Sequence, residues 1–331
     1  KAVAEILHGR PVRYSYMNGG SGGGRQSLAE AQFYPNDYDG IWASCPAINW
    51  TQFLASGLWA VTVMNEYDHI LGFHKINAFR DAVHNSVGGK ENYFRVEERI
   101  DFDPYTILGQ KTKGGKITEK DCLVMQEIWK GPHTTGNDFL WYGFLPGGTF
   151  WNKIIPIGSF YYPLIGKRPK CFSLVEQYVH LAFEDPKKDL RHLKIRDFEK
   201  VFDTCIRKLG WLSCDNADLR SFADAGGKLI IDHGLDDPLI PVEGTIDYYH
   251  RMREIHGGQN FIDQFCRLYI NPGDGHGNCH TNGPGMTEST GIQALMNWVE
   301  QNKAPENLPA VLVNQKTGKT IRKGIVKPWR V

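Results

Sequence analysis

The sequence predicts an α/β protein: a doubly wound, mostly parallel sheet interrupted by a large inserted subdomain. Three observations predict it. Residues 12–45 run strand, glycine-rich turn, helix, strand, which is the rhythm of parallel strands joined by helical crossovers. That rhythm is lost from about residue 67 to 215. It returns at residue 226 with a buried-strand pattern, and acidic residues then follow one strand and histidines the next.

Residues 2–8 (AVAEILH) read as the end of a helix, broken by Gly9-Arg10-Pro11. Val12–Met17 alternates as a strand should. The turn Asn18-Gly19-Gly20-Ser21-Gly22-Gly23-Gly24-Arg25 follows, then a helix through Ser27–Gln32. Gly40–Cys45 reads as the next strand, stopped by Pro46. Between 67 and 215 only helical patches stand out, at Lys120–Trp129, Leu174–Ala182 and Asp197–Leu209, among glycine, proline and aromatic residues. The run Gly226–Gly234 reads as a buried strand, followed by a turn at Asp236-Asp237-Pro238 and a helix around Thr245–Ile255. Phe265–Ile270 is another strand, leading into Asn271-Pro272-Gly273-Asp274-Gly275-His276, and Ile292–Gln301 is the final helix. The expected division is therefore one domain from 1–66 and 216–331, with 67–215 inserted as a second.

At 331 residues the chain has ample material for a large core. Its formal charge is +1, which leaves no electrostatic footprint for nucleic acid or an anionic membrane. No apolar run approaches a membrane span, and the start lacks the layout of a signal peptide. The seven cysteines form no CxxC pair, which argues against a zinc cluster, and their odd number leaves at least one thiol outside a disulfide. Cys45 and Cys266 sit in apolar strand runs and read as small buried hydrophobes.

Chemistry centres on Ser21. It stands in Gly-x-Ser-x-Gly between a strand and a helix, the context of a nucleophile elbow, where a strained turn exposes the hydroxyl at a helix N-terminus. Alone the pattern is weak, because most glycine-rich turns are only turns. An aspartate after the next strand run is commonly a cap or turn residue, and a loop histidine is commonly just polar. Together, however, they stand in the order serine, acid, histidine, each on a loop after a strand, which is the order of an α/β-hydrolase triad. The residues alone leave Asp236 and Asp237 both open as the acid, and His276 and His280 both open as the base.

The chain resembles the tannase/feruloyl esterase family, which includes the mono(2-hydroxyethyl) terephthalate hydrolases. The resemblance covers nearly the whole chain. It rests on Asn18–Gln26, Phe33–Ile41, Cys45-Pro46-Ala47-Ile48-Asn49-Trp50, Leu140–Phe144 with Trp151, Gly227–Gly234, and Asn297-Trp298-Val299-Glu300. By position it implies Ser21 as nucleophile, Asp237 as acid in Gly234–Pro241, and His276 as base in Pro272–His276, with Asp236 and His280 as near misses. It implies two-step acyl transfer on an aromatic ester: a hydroxycinnamoyl (ferulic-type) ester of the plant cell wall, or a galloyl ester. The substrate would be a small aromatic ester or a feruloylated polysaccharide. The backbone N–H of Gly22 is the expected oxyanion donor. The inserted region is the expected lid, where Trp141, Tyr142, Phe150 and Trp151 are candidates to hold the ring, packing within the lid being the competing role. No cofactor is expected. A serine peptidase or general esterase on the same fold, and a non-catalytic binding relative, are the rival readings.

The chain also departs from the family. Cysteines that usually flank the serine and the histidine, and pair in a disulfide, are here Gly20 and Gly277. All seven thiols are therefore expected outside disulfides, which leans toward a reducing or anaerobic setting although the family is mostly secreted. The family's calcium loop corresponds to Arg80–Gly89, where only Asp81 and Asn85 offer hard oxygen ligands, so no metal is expected. Strands that precede residues 2–8 in the family, and supply the other oxyanion donor, are not in this sequence. The expectation is a missing N-terminal segment or second chain, without which a sheet edge would lie open.

Overall fold

Four strands form the central sheet of the computed structural model, which describes residues 1–87, 100–148, 172–277, 283–314 and 316–330. In chain order the strands are β1 (Tyr16–Gly20), β2 (Gly40–Ser44), the two-residue β3 (Lys111–Thr112) and β4 (Gly115–Lys116), β5 (Lys228–Gly234), β6 (Cys266–Asn271), β7 (Leu308–Val313) and β8 (Thr320–Val326). The sheet runs β1-β2-β5-β6 and every pairing in it is parallel. Its register sets Gly20 beside Ser44, Ser44 beside Asp232, and Gly234 beside Asn271. All four carboxyl ends therefore reach the same edge, and the loops leaving that edge are the ones that carry chemistry.

β2 and β6 are buried throughout and β5 from Leu229 onward, as expected for parallel strands covered on both faces. Trp42, Ile230 and Tyr269 pack with Leu295 and Trp298 of the helix Glu288–Gln301. The antiparallel hairpin β7–β8 adds Leu308, Ala310 and Val326 to this core. That hairpin was not anticipated.

β1 begins four residues later than the predicted strand and ends three residues later. Its Asn-Gly-Gly end looks like a turn, but pairing along β2 overrides local propensity. Ser15 is occupied instead by Asp39, whose Oδ2 accepts from its N–H at 2.7 Å and its hydroxyl at 3.1 Å.

The described chain divides into two units. The first comprises Lys1–Ile48, Cys214–Leu235 and Thr245–Val331; the second, Asn49–Ser213 and Asp236–Gly244. The second unit thus begins at Asn49 rather than residue 67, and it also takes the turn after β5. The reason is the helix pair Trp50–Ser56 and Trp59–Glu66, whose buried Phe53, Leu54, Trp59, Val61, Val63 and Met64 leave almost no polar face. Among the described residues of 67–215 the only strands are β3 and β4, paired with each other.

A charged knot fixes part of the second unit. Thr118 caps the helix Glu119–Lys130 in a capping box with Asp121. The Asp121 carboxylate, wholly buried, also accepts from Lys75 Nζ at 2.6 Å and contacts His69 Nε2 at 2.7 Å. Burial alone would push this carboxyl up, but the hydrogen bonds from Lys75, His69 and Thr118 prevail and hold it below the usual range. Cys45, Cys122, Cys205, Cys214 and Cys266 are thiols outside any disulfide. Cys171 and Cys279 lie outside the described residues.

Candidate active site

Ser21 sits between β1 and the helix Gly22–Phe33 at φ 59°, ψ −121°, a left-handed conformation that a residue with a Cβ rarely adopts. Such strain costs about 1–3 kcal/mol and persists only where the surroundings enforce it. Here they do. The Ser21 N–H donates to Ser44 O at 2.9 Å, and its carbonyl accepts from Ala47 N at 3.0 Å and Arg25 N at 3.1 Å. The turn is closed by two glycines. A Cβ on Gly19 would collide with the Gly23 carbonyl, and one on Gly24 would stand 2.8 Å from Pro46 Cα and Ser44 O. Gly23, the last glycine of Gly-x-Ser-x-Gly, has open space instead. The steric demand falls on Gly24, one residue beyond the motif.

His276 follows β6 on a loop that includes the buried Asp274, whose Oδ1 accepts from Gly275 N at 3.1 Å. A Cβ on Gly234 would strike the Asp274 and Gly275 carbonyls, so the end of β5 and the histidine loop touch backbone to backbone. The result is a 2.9 Å contact between His276 Nε2 and Ser21 Oγ. With the ring proton on Nδ1, Nε2 accepts from the Ser21 hydroxyl, which is the geometry of a general base on a nucleophile.

Beneath this pair lies a polar group that the sequence reading passed over. Asp232, in the middle of β5, is buried among apolar residues. Its carboxylate accepts from Trp42 Nε1 and Asn271 Nδ2, each at 2.7 Å, and from Ser44. Its backbone carbonyl accepts from Cys45 N at 2.6 Å. Burial pushes the Asp232 carboxyl up, opposed by the hydrogen bonds from Trp42, Ser44 and Asn271. One side chain thus ties β2, which holds the Ser21 backbone through Ser44, to β6, which leads to His276. An acid inside an otherwise apolar strand run was the available signal.

Asp237 belongs to the second unit. Its Oδ1 accepts from the N–H groups of Leu239 at 2.8 Å and Ile240 at 3.0 Å, which fixes the turn around it. Asp236 is also buried, near Gly148. Trp141 is buried against Gly244, with Tyr142 edge-on to it at 5.1 Å. Tyr142 also borders an apolar recess with Phe53, Phe144, Val175 and Leu239. Gly22 opens its helix, where first-turn N–H groups have no partner within the helix. Phe150, Trp151 and His280 lie outside the described residues. Asp81 and Asn85 are exposed on the helix Phe73–Ser86, one turn apart.

A parallel sheet that delivers a serine on a strained strand-to-helix turn, and a histidine onto its hydroxyl, defines the α/β-hydrolase class. The particular lineage follows from comparison. Residues 1–95 and 166–329 match the family described as tannase and feruloyl esterase, and the chain belongs to it. It is 32% identical over 330 residues to a probable feruloyl esterase of Arthroderma benhamiae, covering 94% of this chain and 59% of that protein. It is 26% identical over 362 residues to the mono(2-hydroxyethyl) terephthalate hydrolase of Piscinibacter sakaiensis, with the same coverage of 94% and 59%. Among solved structures, an esterase from Aspergillus oryzae superposes with TM-score 0.82 at 21% identity, covering 99% of this chain and 67% of that one. The tannin acyl hydrolase from Aspergillus niger superposes with TM-score 0.81 at 22% identity, covering 99% and 64%. The chain spans 59% of the length of these two curated relatives.

Proposed function

We propose that this chain carries the catalytic serine and histidine of a carboxylic ester hydrolase that cleaves aromatic esters, hydroxycinnamoyl (ferulic-type) esters of plant polysaccharides first, with galloyl esters the alternative. The observation that carries the reading is the 2.9 Å contact between Ser21 Oγ and His276 Nε2, on a serine held at φ 59°. His276 takes the Ser21 proton as the hydroxyl attacks the ester carbonyl, then returns it to the leaving alcohol. Asp237 is assigned to the other ring nitrogen, where it fixes the tautomer and stabilises the imidazolium. Gly22 N–H is assigned to the oxyanion; loss of one such donor typically costs about 10²–10³ in rate. The inserted region, 67–215, is assigned the role of lid, with Trp141, Tyr142, Phe150 and Trp151 as ring-binding candidates. Among the described residues no helix is long and apolar enough to cross a membrane.

The names of the relatives support the aromatic-ester reading: one is a probable feruloyl esterase and one a terephthalate ester hydrolase. A release assay run in parallel on methyl ferulate, methyl gallate and p-nitrophenyl acetate tests it. Preference for methyl ferulate is expected. Hydrolysis of p-nitrophenyl acetate alone would reduce the reading to a general esterase. Failure to react with a fluorophosphonate would remove the enzyme reading altogether.

A further inference from the structure

Cys45 has no part in serine chemistry, yet it stands beside the serine's base. It is the first residue past β2 and is held at φ 35°, a strained value for a residue with a Cβ. Its N–H is anchored on the Asp232 carbonyl, and the residue is almost wholly buried. Its sulfur lies within 4.8 Å of a ring nitrogen of His276. Apolar packing alone would not call for a thiol at a strained position next to an imidazole.

Thiolate sulfur with imidazole nitrogen is the donor pair of zinc-class sites, and soft or borderline divalent cations prefer it. Bonds of about 2.3 Å to sulfur and about 2.0–2.1 Å to nitrogen, at a tetrahedral angle, put the two donors roughly 3.6 Å apart. Cys45 and His276 need close by only about 1 Å to reach that spacing. We propose that Cys45 and His276 together bind a zinc-class divalent cation, and that its binding turns hydrolysis off. The thiol proton leaves to solvent as the metal–sulfur bond forms. A neutral imidazole has one nitrogen with a lone pair, and the metal takes it. If that nitrogen is Nε2, the Ser21 contact is replaced. If it is Nδ1, Nε2 carries the ring proton and cannot accept another. Either way the base is lost. Two protein donors completed by water make a weak, reversible site. The inhibitory consequence rests on the proposed esterase reading, whereas the binding itself does not.

Cobalt(II) is the direct probe, because a thiolate bound to it absorbs in the near ultraviolet. Titrating the full chain with CoCl₂ should raise that band, and Cys45→Ala should lack it while keeping its circular dichroism. Cys214→Ala, which removes the half-exposed thiol, should keep the band. Among the described residues no other thiol belongs to such a cluster of metal-ligating side chains. Ser21→Ala should also keep the band, which separates metal binding from catalysis. With p-nitrophenyl acetate, ZnCl₂ should inhibit and EDTA should restore the rate. The half-inhibiting zinc concentration should rise by more than about tenfold in Cys45→Ala, since even an outer partner of a metal ligand is worth that much. Absence of the cobalt band in the wild-type chain, its persistence in Cys45→Ala, or equal zinc sensitivity of the two proteins would overturn the proposal. A chain that shows the band but hydrolyses nothing would instead overturn the esterase reading.

Discussion

Ser21 spends stability on geometry, and that expense can be measured apart from turnover. Ser21→Ala should lower hydrolysis by about 10⁴-fold or more and abolish fluorophosphonate labelling. It keeps the Cβ and so keeps the strained φ of 59°. Ser21→Gly removes both, and in urea denaturation it should be more stable than Ser21→Ala by about 1 kcal/mol. Equal stability of the two would mean that the turn is not strained. Asp232 acts on geometry in another way, its buried carboxylate joining β2 to β6. Asp232→Asn puts an NH₂ group against Trp42 Nε1 or Asn271 Nδ2, both donors. The buried clash should cost about 1–3 kcal/mol in urea denaturation. Steady-state kinetics on methyl ferulate should then show kcat falling while KM stays close to wild type, because the ends of β2 and β6 loosen but the second unit keeps its own contacts. The strained turn at Ser21 was legible because its motif is local. Asp232 was not, because its meaning comes from Trp42 and Asn271, 190 and 39 residues away in sequence.

At the scale of elements, the Asp121 knot links the cap of the helix Glu119–Lys130 to Lys75 and His69. Its carboxyl is held below the usual range, so the folded state favours the ionised form. The stability this contributes is fully present above the unfolded value of about 3.9 and is lost as pH falls through the lower folded value. Urea midpoints measured from pH 6 downward should therefore fall more steeply for the wild type than for Asp121→Asn. Parallel curves would show that the knot does not carry the acid sensitivity. Elements with a strong apolar signature were read correctly: β2, β5 and β6 lie within a residue or two of their predicted positions. The misses have local causes. β1 ends in two glycines that imitate a turn. The last helix begins at Glu288 rather than Ile292, because Thr287 caps it through Thr290 N, a start signal placed ahead of the apolar residues. The β7–β8 hairpin has exposed positions along both strands and gave no buried-strand pattern.

Over the whole chain, each unit is made of separate segments, with covalent crossings at 48/49, 213/214, 235/236 and 244/245. Neither unit can lose its structure without pulling on segments that begin or end in the other. One cooperative transition is expected, with circular dichroism and tryptophan fluorescence giving the same urea midpoint. Distinct midpoints would mean that the units unfold separately despite those crossings. The lost rhythm puts a boundary at residue 67, whereas the second unit begins at Asn49, because the helices Trp50–Ser56 and Trp59–Glu66 are apolar enough to belong to any core. The same segmentation acts on the clock of synthesis. β2 is buried on both faces, and its partner β5 starts only at Lys228, opposite Gly40. At about 5–20 residues per second a ribosome takes roughly 10–40 s to bridge that interval. Throughout it the nascent chain carries an apolar strand with no β5 to cover its edge, a window in which that edge is open to aggregation.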